Sequence, residues 1–153
     1  MIDAPLATTL TAIGALLRTT DEPWWVIASA AVALHGADPG RVGDVDVLLG
    51  VNDAKRILPS IGIEPRPGAD HRDFRSRIFG TWNATPLPVE FMAGFYHRSG
   101  DDWLPVQPVT REPIELGAVT VFIPSRLELC EILRAFGRPK DIVRASRLAV
   151  LGQ

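Results

Sequence analysis

A single cysteine, Cys130, stands among 153 residues, so no internal disulfide can staple the chain and no cysteine-rich zinc site can form. That scarcity fits a reducing cytosol. Cys130 sits in Leu127-Glu128-Leu129-Cys130-Glu131-Ile132-Leu133, a helical pattern in which a buried, inert thiol is expected. Charge of one sign is also lacking: 16 basic against 18 acidic residues leave a formal net charge of −2. This excludes the overall field of a strongly basic nucleic-acid binder, and any basic site must be local. No apolar run approaches the ~18 residues that span a bilayer, and Met1-Ile2-Asp3-Ala4-Pro5 lacks the basic start of a secretory signal. A cytoplasmic protein with no membrane partner is expected.

What is present is 46% hydrophobic residues, enough for one compact domain over 1–153. Leu6, Leu10, Ile13, Leu16 and Leu17 recur at helical spacing before Thr19-Thr20-Asp21-Glu22-Pro23 breaks the pattern. Trp24-Trp25-Val26-Ile27 predicts a strand, the small residues from Ala28 a tight turn and short helix ended by Gly36, and Asp44–Leu49 a second strand. A short helix over 54–58, a polar loop over 64–77, and strands at Ser76–Trp82 and Pro88–Ala93 follow. Gly94–Glu112 carries no assignable pattern. Val119–Ile123 predicts a last strand, and Ser125 opens a pair of helices interrupted at Arg138-Pro139-Lys140-Asp141.

Side chains two apart on a strand share a face, so Asp44 and Asp46 project together while Val45 turns to the opposite side. Two aligned carboxylates repel unless a cation lies between them, and hard oxygen ligands select Mg²⁺ or Mn²⁺. A lone Asp-x-Asp also suits the solvated end of a strand. Glu90, which interrupts the apolar run Val89 and Phe91-Met92, could aim from a neighbouring strand at the same point as a third ligand or general base.

Trp25–Gly36 followed by Arg41-Val42-Gly43-Asp44-Val45-Asp46-Val47-Leu48-Leu49 resembles the nucleotidyltransferase superfamily, which has the DNA polymerase β-like fold. There an apolar strand, a Gly-Gly or Gly-Ser turn and a short helix precede Asp-x-Asp on the next strand. Arg138-Pro139-Lys140-Asp141 is similar to the Arg-x-Lys-Asp element of the branch that holds abortive-infection (AbiEii-type) toxins and small aminoglycoside- or lincosamide-modifying enzymes. The resemblance implies an α/β (α+β) fold: a small mixed sheet of about four or five strands with helices on one side, those from 125–151 included.

It also implies a chemistry, in which Asp44, Asp46 and Glu90 are catalytic and bind Mg²⁺ or Mn²⁺. Ala28, Ser29, Arg41 and Lys140 meet an NTP, with Asp141 orienting Lys140. The implied reaction moves an NMP from the NTP to a hydroxyl on a small molecule, a tRNA end or a protein. Two positions depart from the pattern: Ala28 replaces the first glycine of the turn, and Arg144 replaces an acidic residue beyond Lys-Asp. The Ala28 Cβ restricts positive φ and the approach of a phosphate. A binding or regulatory module that keeps the fold but has lost efficient transfer is the alternative, one half of a toxin–antitoxin pair is a third, and a homodimer or cognate partner chain would deepen a shallow cleft.

Among the remaining residues, Arg66 and His71-Arg72-Asp73-Phe74-Arg75-Ser76-Arg77 form the most basic cluster, suited to a triphosphate, to an RNA backbone or to a solvated loop. His35 suits a helix C-terminus for dipole reasons. Trp24, Trp25, Trp82 and Trp103 are expected in the core or at its rim, where one could stack on a base.

Overall fold

A computed structural model describes residues 2–152. Asp3 caps the first helix, α1 (Ala4–Leu16), by accepting the Leu6 N–H at 3.0 Å, and Pro5 occupies an early position where no helical hydrogen bond is lost. β1 (Trp25–Ile27) runs straight into α2 (Ala28–Leu34), and the chain reverses there through Ala28 at φ 58°, the one non-glycine residue with positive φ among those described. β2 (Val45–Leu48) leads into α3 (Val51–Ile57). β3 (Phe74–Trp82), β4 (Val89–Ser99) and β5 (Asp102–Pro105) form a meander. A hairpin of β6 (Glu112–Leu116) and β7 (Val119–Ile123) precedes the C-terminal pair α4 (Arg126–Phe136) and α5 (Pro139–Val150).

The main sheet is mixed, in the order β1-β2-β4-β3, with β5 paired to the far half of β4. β1 is antiparallel to β2, β2 parallel to β4, and β4 antiparallel to both β3 and β5. This is the mixed α/β architecture expected from the sequence. Period-2 alternation sorts its side chains into two clusters. Val26, Val45, Val47, Val89, Phe91 and Ala93 enter the main core with Leu6, Leu10 and Ile13 of α1, Leu129 and Leu133 of α4, and Leu148 of α5. Trp25, Ile27, Leu48, Met92 and Phe95 form a smaller cluster on the other side, against Phe74, Phe79, Ile132 and Phe136. α4 thus serves both clusters, while the rest of the second face stays open.

Two elements in the unassigned stretch 94–112 have a local cause. Gly94 takes φ 58°, a conformation open to glycine, and after it the alternation of β4 breaks: Met92 and Phe95 belong to the same cluster. A pattern search with one fixed period therefore ends at Ala93, although β4 continues to Ser99 and pairs with β5. α1 lies on the β6–β7 hairpin, where Gly14 admits a close approach; a Cβ built there would stand 2.9 Å from the Val119 Cβ.

Candidate active site

Strand register gathers the carboxylates. Because β1 and β2 are antiparallel, the end of β1 lies beside the start of β2, with Ile27 opposite Asp46. Because β2 and β4 are parallel, both enter from the same edge, with Asp46 opposite Glu90. The Ala28 turn, Asp46 and Glu90 therefore stand at one level across three adjacent strands, and Asp44, one residue before β2, joins them from the same side. One carboxylate oxygen from each of Asp44, Asp46 and Glu90 lies within 4.8 Å of the others.

This cluster is electrostatically unsatisfied. Burial, then the charges of Asp44 and Glu90, push Asp46 from its ordinary 3.8 up to about 8, against the opposing pull of Arg138 and Lys140. Burial likewise raises Glu90 from 4.5 to about 7, helped by a hydrogen bond and like charge from Asp44 and opposed by Lys140. Such a group of hard oxygen donors fits a divalent ion, whose charge removes the repulsion.

A cleft of about 330 Å³ opens beside the carboxylates, bounded by Ala28, Asp46, Glu90, Phe74, Phe136 and Arg138. Its apolar wall is the second cluster: Phe74 stacks on Phe95 at 5.6 Å and meets Phe136 edge-on at 5.1 Å. Arg138 lies over Phe74 at 5.0 Å. Its guanidinium is held by Asp141, which is fully buried and accepts from the Arg138 Nε at 2.6 Å, its Nη2 at 3.0 Å and its backbone N–H at 3.2 Å. The fork is rigid because two parallel donors meet a carboxylate that has nowhere else to go.

The other residues singled out from the sequence fall around this frame. Ala28 and Ser29 are buried at the turn. Lys140 is exposed, and its charge reaches Asp46 and Glu90. Arg41 is exposed in the segment before Asp44, away from the cleft lining. Asp141 holds Arg138, not Lys140, because its carboxylate faces back to the helix start in a capping box. His71 and Arg75 line the cleft, whereas Arg66 pairs with Glu64 and Arg72 with Asp73. His35 meets the Pro124 carbonyl at 2.8 Å. Trp24 packs edge-on against Phe122, the Trp25 indole donates to the Thr110 carbonyl, and Trp103 lies under Arg75. The Cys130 thiol is buried against Ala145.

Arg138 belongs to the Arg-x-Lys-Asp element and Phe74 to the basic cluster, but neither had a role toward the cleft, and sequence patterns did not single out Phe95 and Phe136 as cleft residues. The one available signal was local: an acidic residue three positions after Arg138, with Pro139 between, is a helix-start pattern that fixes Arg138 as its cap.

No protein-family model matches the sequence, and no curated protein matches it either. Solved structures do match the fold. A provisionally assigned nucleotidyltransferase from Thermotoga maritima superposes with a TM-score of 0.68 at 20% identity, over 95% of this chain and 92% of that one. The antibiotic-resistance factor ANT(2″)-Ia matches with a TM-score of 0.61 at 11% identity, over 99% of this chain and 86% of that one. The lincomycin-bound lincosamide antibiotic adenylyltransferase LnuA matches at 0.58 and 10% identity, over 92% of this chain and 94% of that one. The chain therefore has the nucleotidyltransferase fold. At these identities the likeness establishes architecture, and the chemistry must be argued from the site.

Proposed function

We propose that this chain is a divalent-metal-dependent nucleotidyltransferase that moves a nucleoside monophosphate from an NTP to a hydroxyl acceptor. One observation carries the reading: the oxygens of Asp44, Asp46 and Glu90 converge within 4.8 Å, beside the Ala28 turn. Asp44, Asp46 and Glu90 would hold Mg²⁺ or Mn²⁺. Such an ion, when bound, neutralises charge on the transferred phosphate and acidifies the attacking hydroxyl.

The chain's own residues do the rest. The backbone at Ala28 and Ser29 and the Ser29 hydroxyl meet the phosphates. Arg138, fixed by Asp141, and Lys140 oppose the negative charge of the triphosphate. Glu90, beside Asp44 and Asp46, takes the proton of the acceptor hydroxyl. The hydroxyl oxygen then bonds to the α-phosphorus as the α–β phosphoanhydride bond breaks, and pyrophosphate leaves. The aromatic wall of Phe74, Phe95 and Phe136 excludes water from the cleft and offers a flat apolar surface. The antibiotic acceptors of the structural neighbours make a hydroxylated small molecule the first acceptor class to try, ahead of a tRNA end or a protein, and NTP use suits the cytoplasm.

Calorimetric titration with the four NTPs, with and without Mg²⁺ or Mn²⁺, tests this reading against an Asp44→Asn/Asp46→Asn control. Metal-dependent binding that the control lacks, followed by pyrophosphate release with a hydroxyl acceptor, is the expected result. Absence of binding to every NTP would sink it. Binding without pyrophosphate release across a broad acceptor panel would instead favour a regulatory module, with the Ala28 Cβ obstructing the phosphate path.

A further inference from the structure

Asp44 sits outside the β2 ladder. The first ladder bond on that side is the Val45 N–H to the Pro88 carbonyl, at 2.9 Å. Upstream of it, residues 38–44 make no backbone–backbone hydrogen bond among those described. Something other than the sheet must hold this segment, because its own backbone leaves it free to swing Asp44 away from Asp46 and Glu90.

The support comes from α5. The Arg144 Nε donates to the Pro39 carbonyl at 2.9 Å, and its Nη2 donates to the Arg41 carbonyl at 3.1 Å. One turn further on, the Arg147 Nη1 donates to the Asp38 carbonyl at 3.2 Å and lies 3.6 Å from the Asp38 carboxylate. A planar guanidinium can bridge two carbonyls at fixed separation, which an ammonium cannot do. Arg144 is also the residue that stands where the resembled motif has an acid. It lies two turns or less from Asp141, so a single helix braces both flanks of the site: Arg138 on the cleft side, and the segment that delivers Asp44 on the other.

We propose that Arg144 is a positioning residue which clamps the segment 38–41 so that Asp44 meets Asp46 and Glu90. The proposal rests on the metal-site reading above, and its test keeps the two separable. Arg144→Gln, Arg144→Lys and a control at the exposed Arg134 (Arg134→Gln) are compared with the unmodified chain. Arg41 is itself a tryptic site whose carbonyl Arg144 holds, so the rate of trypsin cleavage after Arg41, followed by mass spectrometry, reads the clamp directly. Arg144→Gln should cleave there roughly tenfold faster, since two charge-assisted hydrogen bonds are lost. Calorimetry with Mn²⁺ alone reads the consequence, with affinity expected to fall at least about tenfold in Arg144→Gln and by less in Arg144→Lys. Arg134→Gln should match the unmodified chain in both.

An arginine that merely stabilised the fold would lower the melting temperature and leave Mn²⁺ affinity of the folded protein unchanged; that outcome overturns the positioning role. Unchanged cleavage after Arg41 overturns the clamp. If the unmodified chain binds no Mn²⁺, the metal-site reading fails, and with it the role toward Asp44, while the cleavage rate still decides whether the clamp exists. Should Arg144→Gln not fold, Arg144→Lys carries the same comparison, because it keeps the charge and loses the fork.

Discussion

Two groups of acidic side chains in this molecule have opposite surroundings. Asp53 is 1% exposed and accepts N–H groups from Asp21 at 3.0 Å and Glu22 at 2.9 Å, together with Arg56 at 3.1 Å. Glu128 accepts the N–H groups of Val109 and Thr110, each at 2.8 Å, and the Thr110 hydroxyl. Burial works against ionisation in both, yet these donors outweigh it and hold each carboxyl below its ordinary range. Asp46 and Glu90 are pushed up chiefly by burial, and their acidic neighbours add to it where Asp53 and Glu128 have donors. The difference teaches that a buried carboxylate with donors is a tie in the fold, whereas one facing other carboxylates is a site awaiting a cation.

The sharpest way to separate the groups is to remove charge without shape. Asp46→Asn should cut pyrophosphate release by more than about 10²-fold, the scale of one lost electrostatic contact to reacting charge, while metal-free stability stays level or rises. Asp53→Ala should do the reverse: a loss of about 1–3 kcal/mol in urea unfolding, as two part-buried N–H groups and Arg56 lose their acceptor, with Mn²⁺ affinity unchanged. A stable Asp53→Ala protein with weakened metal binding would erase the distinction.

The two groups should also oppose each other in pH dependence. With Asp46 raised from 3.8 to about 8 and Glu90 from 4.5 to about 7, the folded state binds more protons than the unfolded chain between those limits. Metal-free stability from these groups therefore falls as pH rises from about 4 to about 8. Asp53 and Glu128, held low, contribute stability that is present above the ordinary carboxylate range and is lost as pH falls through their folded values. Thermal melts without metal should show Asp46→Asn gaining on the unmodified chain as pH increases from 5 to 8. Saturating Mg²⁺ should raise the unmodified chain's melting temperature most at the alkaline end and leave Asp46→Asn nearly unmoved.

The smallest effect is expected at Ala28. Its φ of 58° costs about 1 kcal/mol relative to a residue without Cβ, so Ala28→Gly should relieve that strain at some cost in unfolded-chain entropy. A net change within about 1 kcal/mol is expected, with a rise in kcat/KM as the backbone opens to phosphate. Unchanged kinetics would place the phosphates elsewhere.

Much of the site could be read along the chain where its geometry is local. Asp44 and Asp46 declare themselves by period 2 on a short strand, and Glu90 by breaking an apolar run. The Ala28 turn was legible as a turn, and its alanine adopts the left-handed conformation that the missing glycine would have supplied. Arg138, by contrast, joins the site through a buried partner on its own helix and a Phe74 contact 64 positions away, and the meeting of Phe74, Phe95 and Phe136 requires the Gly94 kink.

Hydrophobic period, turn chemistry and charge placement specify which residues form strands and which carboxylates must leave the core, because those preferences act within a few residues of chain. The brace from Arg144 to the segment before Asp44 and the level alignment of Asp46 with Glu90 exist only once β2 and β4 pair in parallel and α5 folds back over the start of β2. Each joins side chains whose spacing in space is set by sheet register and helix packing, and no local preference encodes a register between strands more than 40 residues apart.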